Sequence, residues 1–561
     1  MNPPPPPPDH GYDVSVIGLG PTGLVMSHLL AAHGLRVLAL EREPHFYGMA
    51  RAVYTDDECL RILQRAGVAD EVLSDMLVDR PVRWVSADGT VLAVAHDRRR
   101  PQGWPTSNFL YQPLFENTLE SRLVERAGVT VRRGRAVTRV DDDGDGVVVV
   151  THVASSGSGY GNSDAPVVPG TEERDTVRFV VACDGGRSPV REQLGIAMVG
   201  HKFPQRWLVV DLSARPGSGH DPFTGVPHFD FVCDPALPTV SCPQPGSRHR
   251  FEFLLTDADD PDEFASDPSL RRMLSRWVEP DDVVVDRRLV YTFNALIASR
   301  WRHGRILLAG DAAHMMPQFV GQGMNAGLRD ADNLAWKLAE VVRHGADMSL
   351  LDTYESERAA HVRGMTRLSV TSKNVVSWTH PALTGLRDRV LPVLSRMPGT
   401  GRMLRETWMK PRPRFRRGSY HGEPRRLRPG RAWLGMLGPE GTLFPQARVV
   451  ATDGGGSVAA PEDAAGPRLD DVVGRRWALV GVGVDPGTVT PPSSLSGRDP
   501  ALVRVAPDSE GLRFSGIRLG DVVVLRPDGY VHRVLRPGNR RRRPGPERPG
   551  APAASFPTRR G

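Results

Sequence analysis

A chain of 561 residues, 40% hydrophobic and 24% charged, can bury a large core and is expected to hold two or three domains. The net charge of +7 is concentrated at one end, where nine arginines stand against Glu547 alone from Arg533 onward, so the rest is near neutral. Those arginines lack interleaved aromatics, which argues against a specific nucleic-acid partner, and the apolar runs are too short to cross a bilayer.

Met1 and Asn2 are followed by six prolines, which neither form a helix nor donate to a sheet. Residues 1–10 are therefore expected as a disordered arm and not a secretory signal. Residues 14–18 read as a strand, 23–33 as a helix and 35–40 as a second strand, a complete β-α-β unit. Strands are expected at 129–132 and 136–140, with the acidic run 141–146 as a hairpin turn into 147–153. The Gly-, Ser- and Pro-rich stretch 155–175 reads as an inserted loop, and 178–182 as a buried strand. Between 206 and 293 longer alternating segments predict a sheet with one face covered, suited to a cavity wall. A buried strand returns at 305–309, followed by a long helix with Leu328, Ala331, Leu334, Ala335, Leu338 and Ala339 on one face. A basic, Pro-rich connection at 410–431 leads to a smaller domain with strands at 477–482, 502–505, 521–525 and 530–535. Residues 537–561 are expected as a disordered basic tail. The four cysteines, Cys59, Cys183, Cys233 and Cys242, have no Cys-x-x-Cys spacing, which argues against a disulfide scaffold or a zinc site and for a cytoplasmic protein.

The chemistry sits at glycine-rich turns. Gly18-Leu19-Gly20-Pro21-Thr22-Gly23 follows a strand and opens a helix, the context a dinucleotide fingerprint needs. Gly18 permits the tight turn, Gly20 lets the backbone approach a pyrophosphate, and Gly23 lets helix pack on strand. Glu41, 23 residues after Gly18, can accept from a ribose diol, with Arg42 beside it in the same cofactor-binding set. Gly310-Asp311 follows an apolar strand, where a carboxylate can accept from a polyol such as the ribityl chain of a flavin. Gly321-Gln322-Gly323-Met324-Asn325 brings small residues and backbone N–H groups to the start of the long helix, suited to negative charge on a reduced isoalloxazine. Asp184-Gly185 is equally compatible with a plain turn ahead of a Ser188 helix cap. His314 has no identifiable carboxylate or nucleophile partner, and a structural or cofactor-shaping role is expected for it.

In this order and spacing the sites resemble the single-component flavin-dependent aromatic hydroxylases typified by para-hydroxybenzoate hydroxylase. The resemblance covers about residues 11–375 and is strongest to the 3-(3-hydroxyphenyl)propionate hydroxylase branch, on segments such as Cys183-Asp184-Gly185-Gly186, Arg250-Phe251-Glu252-Phe253 and Val290-Tyr291-Thr292. It implies FAD as cofactor, with roles for Arg51, Gln112, Asp184, Gly185 and Pro317 as well as the glycine sites, and NADH or NADPH as co-substrate. It implies an α/β fold: a Rossmann-like, glutathione-reductase-type FAD-binding domain over 11–205 and 294–400, an inserted substrate domain over 206–293, and a thioredoxin-like domain over 430–536. The family's chemistry implies hydroxylation by O2 ortho to the hydroxyl of a phenolic acid, giving 2,3-dihydroxyphenylpropionate from 3-(3-hydroxyphenyl)propionate. A tailoring hydroxylase of a larger polyketide or polycyclic phenol, and a non-catalytic flavin-binding interaction protein, are the alternatives. No catalytic residue is assigned, Arg206 and Arg250 are read as ordinary surface arginines, and homo-oligomerisation is left open.

Overall fold

A computed structural model describes residues 11–536 except 156–165, 420–437, 453–466 and short gaps at 47, 49–50, 257–258, 318, 320, 408–409, 411–412, 416, 508, 510–511 and 513–514. The proline arm, the arginine tail and the centre of the 155–175 stretch lie outside the described residues.

The first sheet is built around the strand Tyr12–Ile17, whose last four residues are buried. Val37–Leu40 and Glu173–Ala182 flank it in parallel, and Val129–Arg132 and Ile306–Leu308 extend the parallel set on either side. Short continuous apolar runs such as VLAL and ILL suit strands covered on both faces. The helix Pro21–Ala32 packs on the 23-residue helix Gln322–His344, whose alanines and leucines fill the space between them. The hairpin Arg135–Asp142 with Val147–Val153 joins the sheet edge, and Asp142 accepts from Gly144 N at 3.0 Å, which makes the acidic run a turn. Glu173–Asp175, read as loop from their polarity, already pair with Val149–Thr151.

The second sheet has eight strands, in the order His314–Met315, Val283–Ala298, Met198–Ala214, Arg248–Leu255, Thr239–Gln244, Phe229–Val232, Val82–Val85 and Val91–Ala95. It reaches beyond residues 206–293, because it recruits Val82–Ala95 from the first half of the chain and begins at Met198. Its two longest strands run continuously out of the nucleotide domain, with an irregular register between Lys202 and Arg206. Period-two alternation sorts its faces. Leu208, Val210, Leu212, Phe251 and Phe253 pack with the helix Asp267–Leu274. Trp207, Phe229, Phe231, Val240 and Phe293 form a separate cluster on the other face.

The third sheet runs in the order Val449–Thr452, Ala501–Val505, Ala478–Val482, Val522–Leu525, Val531–Leu535, with only the pair Ala478–Val482 and Ala501–Val505 parallel. Buried charges tie it to the rest. Asp470 holds Arg61 at 2.6 Å and Arg65 at 2.5 Å, and Arg526 meets Glu357 at 2.7 Å.

Candidate cofactor and substrate site

The first glycine loop leaves no room for a side chain at Gly18 or Gly23. A Cβ on Gly18, whose φ is +91°, would lie 2.6 Å from the carbonyl oxygen of Cys183, and one on Gly23 would lie 1.8 Å from that of Gly18. The strand Tyr12–Ile17, its neighbour Glu173–Ala182 and the following helix therefore converge at a bare backbone cradle. The helix starts at Gly20 with Pro21 in its first turn and no side-chain cap, which leaves its first N–H groups for an anion. Glu41 stands beside the loop because its carboxylate accepts from Leu19 N at 2.7 Å and Glu43 N at 2.9 Å.

From this loop a cavity of about 1310 Å³ runs past Gly18, Gly20, Glu41, Arg42, Asp184 and Gly185, and meets a second of about 540 Å³. Arg51, Gly185, Asp311 and Met315 line both. Burial pushes the Asp184 carboxyl up to about 6. One of its oxygens accepts from Val190 N at 3.2 Å, whereas Oδ1 is buried without a partner among the described residues, an acceptor suited to a ligand hydroxyl. Asp184 is thus more than a turn residue. A long channel, anion-ready at its glycine-loop end and with the carboxylates of Glu41, Asp184 and Asp311 along it, fits FAD.

At the far end Gly321, Gly323 and Met324 face the second cavity. Gln322 and Asn325 do not line it; their side chains hold the turn. Asn325 accepts from Thr55 Oγ1 at 3.0 Å and donates to Gly321 O at 2.9 Å, while Gln322 donates to Asp56 at 3.2 Å and accepts from Arg329 at 3.0 Å. Gln112 similarly accepts from the backbone N–H of Arg51 and Ala52 at 2.7 and 2.6 Å, so it shapes the segment across the cavity mouth. Pro317 is buried, its carbonyl taking a hydrogen bond from Ser369 at 2.6 Å. His314, fully buried, does have a carboxylate partner: Asp330 lies 2.6 Å from its Nε2 and also accepts from Gly310 N at 3.1 Å. The pair braces the turn that presents Asp311.

The wall opposite the flavin loop is the inner face of the second sheet. Phe229, Phe231, Val240 and Phe293 make it apolar, and Arg250, Glu252, Arg287 and Tyr291 make one end polar. Arg250 is not a surface arginine. It is 2% exposed, bonded to Asp211 through two nitrogens at 2.6 and 3.0 Å, and donates to the carbonyl of Arg51 at 2.6 Å. Arg206, by contrast, bonds the carbonyls of Thr256 and Asp259 and does not line the cavity. Arg287 stands 3.9 Å from Asp211. Glu252, Arg287 and Tyr291 escaped assignment by sequence, although charged residues at alternate positions on the core-facing side of a strand were the available signal.

The FAD binding domain family matches residues 11–369. A 3-(3-hydroxy-phenyl)propionate/3-hydroxycinnamic acid hydroxylase from Mycobacterium avium (strain 104) is 39% identical over 480 residues, 85% of this chain and 77% of that protein. Its counterpart in Paraburkholderia xenovorans (strain LB400) is 34% identical over 84% of this chain and 77% of its own. Among solved structures, OxyS anhydrotetracycline hydroxylase from Streptomyces rimosus superposes with a TM-score of 0.69 at 25% identity, covering 94% of this chain and 97% of that one. Aklavinone-11 hydroxylase, solved with FAD and aklavinone, gives 0.69 at 24% identity over 94% and 96%, a likeness of fold. The chain belongs to the FAD binding domain family and is a flavin-dependent aromatic monooxygenase.

Proposed function

We propose that the protein hydroxylates 3-(3-hydroxyphenyl)propionate ortho to its hydroxyl, giving 2,3-dihydroxyphenylpropionate, with NADH or NADPH and O2 as co-substrates. The observation that carries this reading is the 540 Å³ cavity itself, which has aromatic walls, a cationic end at Arg250 and Arg287, and a direct opening onto the flavin loop. The names of the hydroxylases at 34–39% identity support it.

Gly18, Gly20, Pro21, Thr22 and Gly23 would take the pyrophosphate of FAD, Glu41 and Arg42 the adenosine ribose, and Asp184, Gly185 and Asp311 the ribityl hydroxyls. The Gly321–Met324 backbone would meet the ring, with Arg51 crossing the mouth. Bound there, FAD supplies the reducing equivalents that activate O2. The chain's own share is to orient the phenol and exclude water. Phe229, Phe231 and Phe293 pack the substrate ring, and Arg287 with Arg250 takes the acid arm. Arg287 and Tyr291 lie four residues apart on one strand, roughly 13 Å, which leaves room for a phenyl ring on a short acid arm between them. Scattered free cysteines favour a cytoplasmic setting. In residues 430–536, the strand order and the absence of any cysteine beyond Cys242 favour a thioredoxin-like unit without redox function.

The test is a panel of phenols, including 3-(3-hydroxyphenyl)propionate and a polycyclic phenol. NADH and NADPH oxidation, catechol and hydrogen peroxide are each quantified. Stoichiometric catechol from the phenylpropionate is expected. No stimulation by it, with turnover of the polycyclic phenol, would overturn the substrate assignment.

A further inference from the structure

We propose that Glu252, assisted by Tyr291, is the acceptor of the substrate's phenolic proton. The inference rests on the hydroxylase reading above and adds a residue to it.

Of the described residues that line the 540 Å³ cavity, only Glu252 and Asp311 are carboxylates. Asp311 belongs to the turn braced by His314 and Asp330 on the cofactor side. Glu252 projects from the substrate sheet, level with Val209 and Leu289 and beside the apolar wall formed by Val240 and Phe231. Its neighbour Asp211 is committed to Arg250, bonded through both oxygens. Glu252 itself forms no ion pair with any described residue. The Tyr291 hydroxyl lies near enough to interact with the Glu252 carboxyl, yet it is buried without an aligned hydrogen-bond partner among the described residues. A phenolic O–H entering between them could donate to the one and accept from the other.

The electrostatics suit a base. Burial raises the Glu252 carboxyl to about 7; Arg250 opposes the shift, Asp211 adds to it, and the Tyr291 hydroxyl and Arg287 oppose it. The remaining groups on this face are the Cys242 thiol, itself raised by burial, with Arg51 and Asp311 across the cavity. Glu252 therefore changes charge near neutral pH, where a general base works best. An unperturbed phenol ionises near 10, so transfer at rest is roughly a thousandfold uphill. Transfer becomes favourable as the ring is oxidised. While the ortho carbon forms its new C–O bond, the phenolic O–H bond breaks and its electron pair becomes a carbonyl π bond. The proton passes to Glu252. The oxygen comes from O2 and the two electrons from NADH or NADPH, with water as the second product. The hydroxylated carbon then loses its C–H proton to solvent while the carbonyl oxygen takes back the proton held on Glu252, which restores aromaticity as a neutral catechol and returns Glu252 to its carboxylate.

The experiment compares wild type, Glu252→Gln, Glu252→Asp and Tyr291→Phe as FAD-loaded proteins, using whichever phenol of the panel drives turnover. Two ligands are titrated against flavin absorbance across pH 5.5–8.5: that phenol and its methyl ether, which has no proton to donate. In wild type the phenol gains affinity relative to its ether as pH rises through about 7, because it donates to the ionised carboxylate; in Glu252→Gln the ratio is flat. Under saturating phenol, Glu252→Gln loses about 100-fold or more in kcat together with the acid limb of the pH profile. Glu252→Asp keeps that limb, and Tyr291→Phe gives a smaller loss. A Glu252→Gln protein that retains FAD, the acid limb and kcat within about threefold of wild type would overturn the assignment. Turnover of only the polycyclic phenol would overturn the substrate reading and leave this comparison intact.

Discussion

Glu357→Gln should loosen the third sheet from the rest of the protein. The Glu357 carboxylate accepts from Arg526 at 2.7 and 3.1 Å, Lys337 at 2.9 Å, Asn333 at 2.6 Å and Ser419 N at 2.7 Å. The Glu357, Lys337 and Arg526 side chains are fully buried. Although burial opposes it, attraction by Arg526 and then Lys337 draws the carboxyl from 4.5 down to about 2. At about 1.4 kcal/mol per unit, that depression corresponds to about 3 kcal/mol. Removing one partner of a buried pair costs about 3–5 kcal/mol by a separate line of reasoning, since two cations keep their desolvation and lose their anion. Because the folded-state value is depressed, the contribution is complete above the unfolded value near 4.5 and fades as pH falls toward 2. Urea unfolding followed by tryptophan fluorescence is the assay, since Trp336 and Trp477 meet edge-on at 5.7 Å across this junction. The variant should be about 3 kcal/mol less stable at pH 7, with the gap narrowing between pH 4.5 and 3. A gap below about 1 kcal/mol at pH 7, or one that ignores pH, would refute the reasoning.

Gly18→Ala forces a methyl group to 2.6 Å from the Cys183 carbonyl, so the adjoining strands must part; at least tenfold weaker FAD retention is expected, read by fluorescence of released flavin. Wild-type retention would show that the cradle is not tight. Asp184→Asn should stabilise the FAD-free protein at pH 8, on the order of 1 kcal/mol after allowing for partial exposure. A carboxyl raised to about 6 when folded costs stability above that pH and none below its unfolded value near 3.8, so the gain should vanish at pH 3.5 in thermal melts. Arg250→Met should weaken binding of the phenylpropionate about tenfold more than that of the matching neutral amide, measured by flavin absorbance titration.

Local pattern and chemistry agree wherever backbone does the work, and there the sequence is readable. Gly18 and Gly23 announce a cradle because a side chain at either would collide with backbone, and an apolar run followed by Gly310-Asp311 announces a strand end at a ligand. Side chains that reach across the fold are not readable this way. Gln322 and Asn325 sit inside the expected motif, yet their partners Asp56 and Thr55 come from a segment about 270 residues earlier. His314 reads as partnerless because Asp330 lies 16 residues on, about two turns into a helix. Arg250 looked like a surface residue because a strand of alternating charge and aromatics, RHRFEFLL, is also how a solvent-facing strand is written. Only the second layer, supplied by Arg51 and the flavin loop, converts that face into an interior. Val82–Val85 is unreadable for the same reason: its pairing with Phe229–Val232 is a property of topology.

The Asp470 clasp on Arg61 and Arg65 bears on how the chain is made. Both arginines lie on the helix Asp57–Ala66, a part of the nucleotide domain that leaves the ribosome early, while their shared carboxylate follows some four hundred residues later. Until then Arg65 has Asp332 at best, itself made late, and Arg61 would have to be buried without its anion. Synthesis therefore carries a helix that cannot settle until the last sheet arrives. A chain stopped short of residue 470 should hold this face open to chaperones, and the finished enzyme should close it in a single late step.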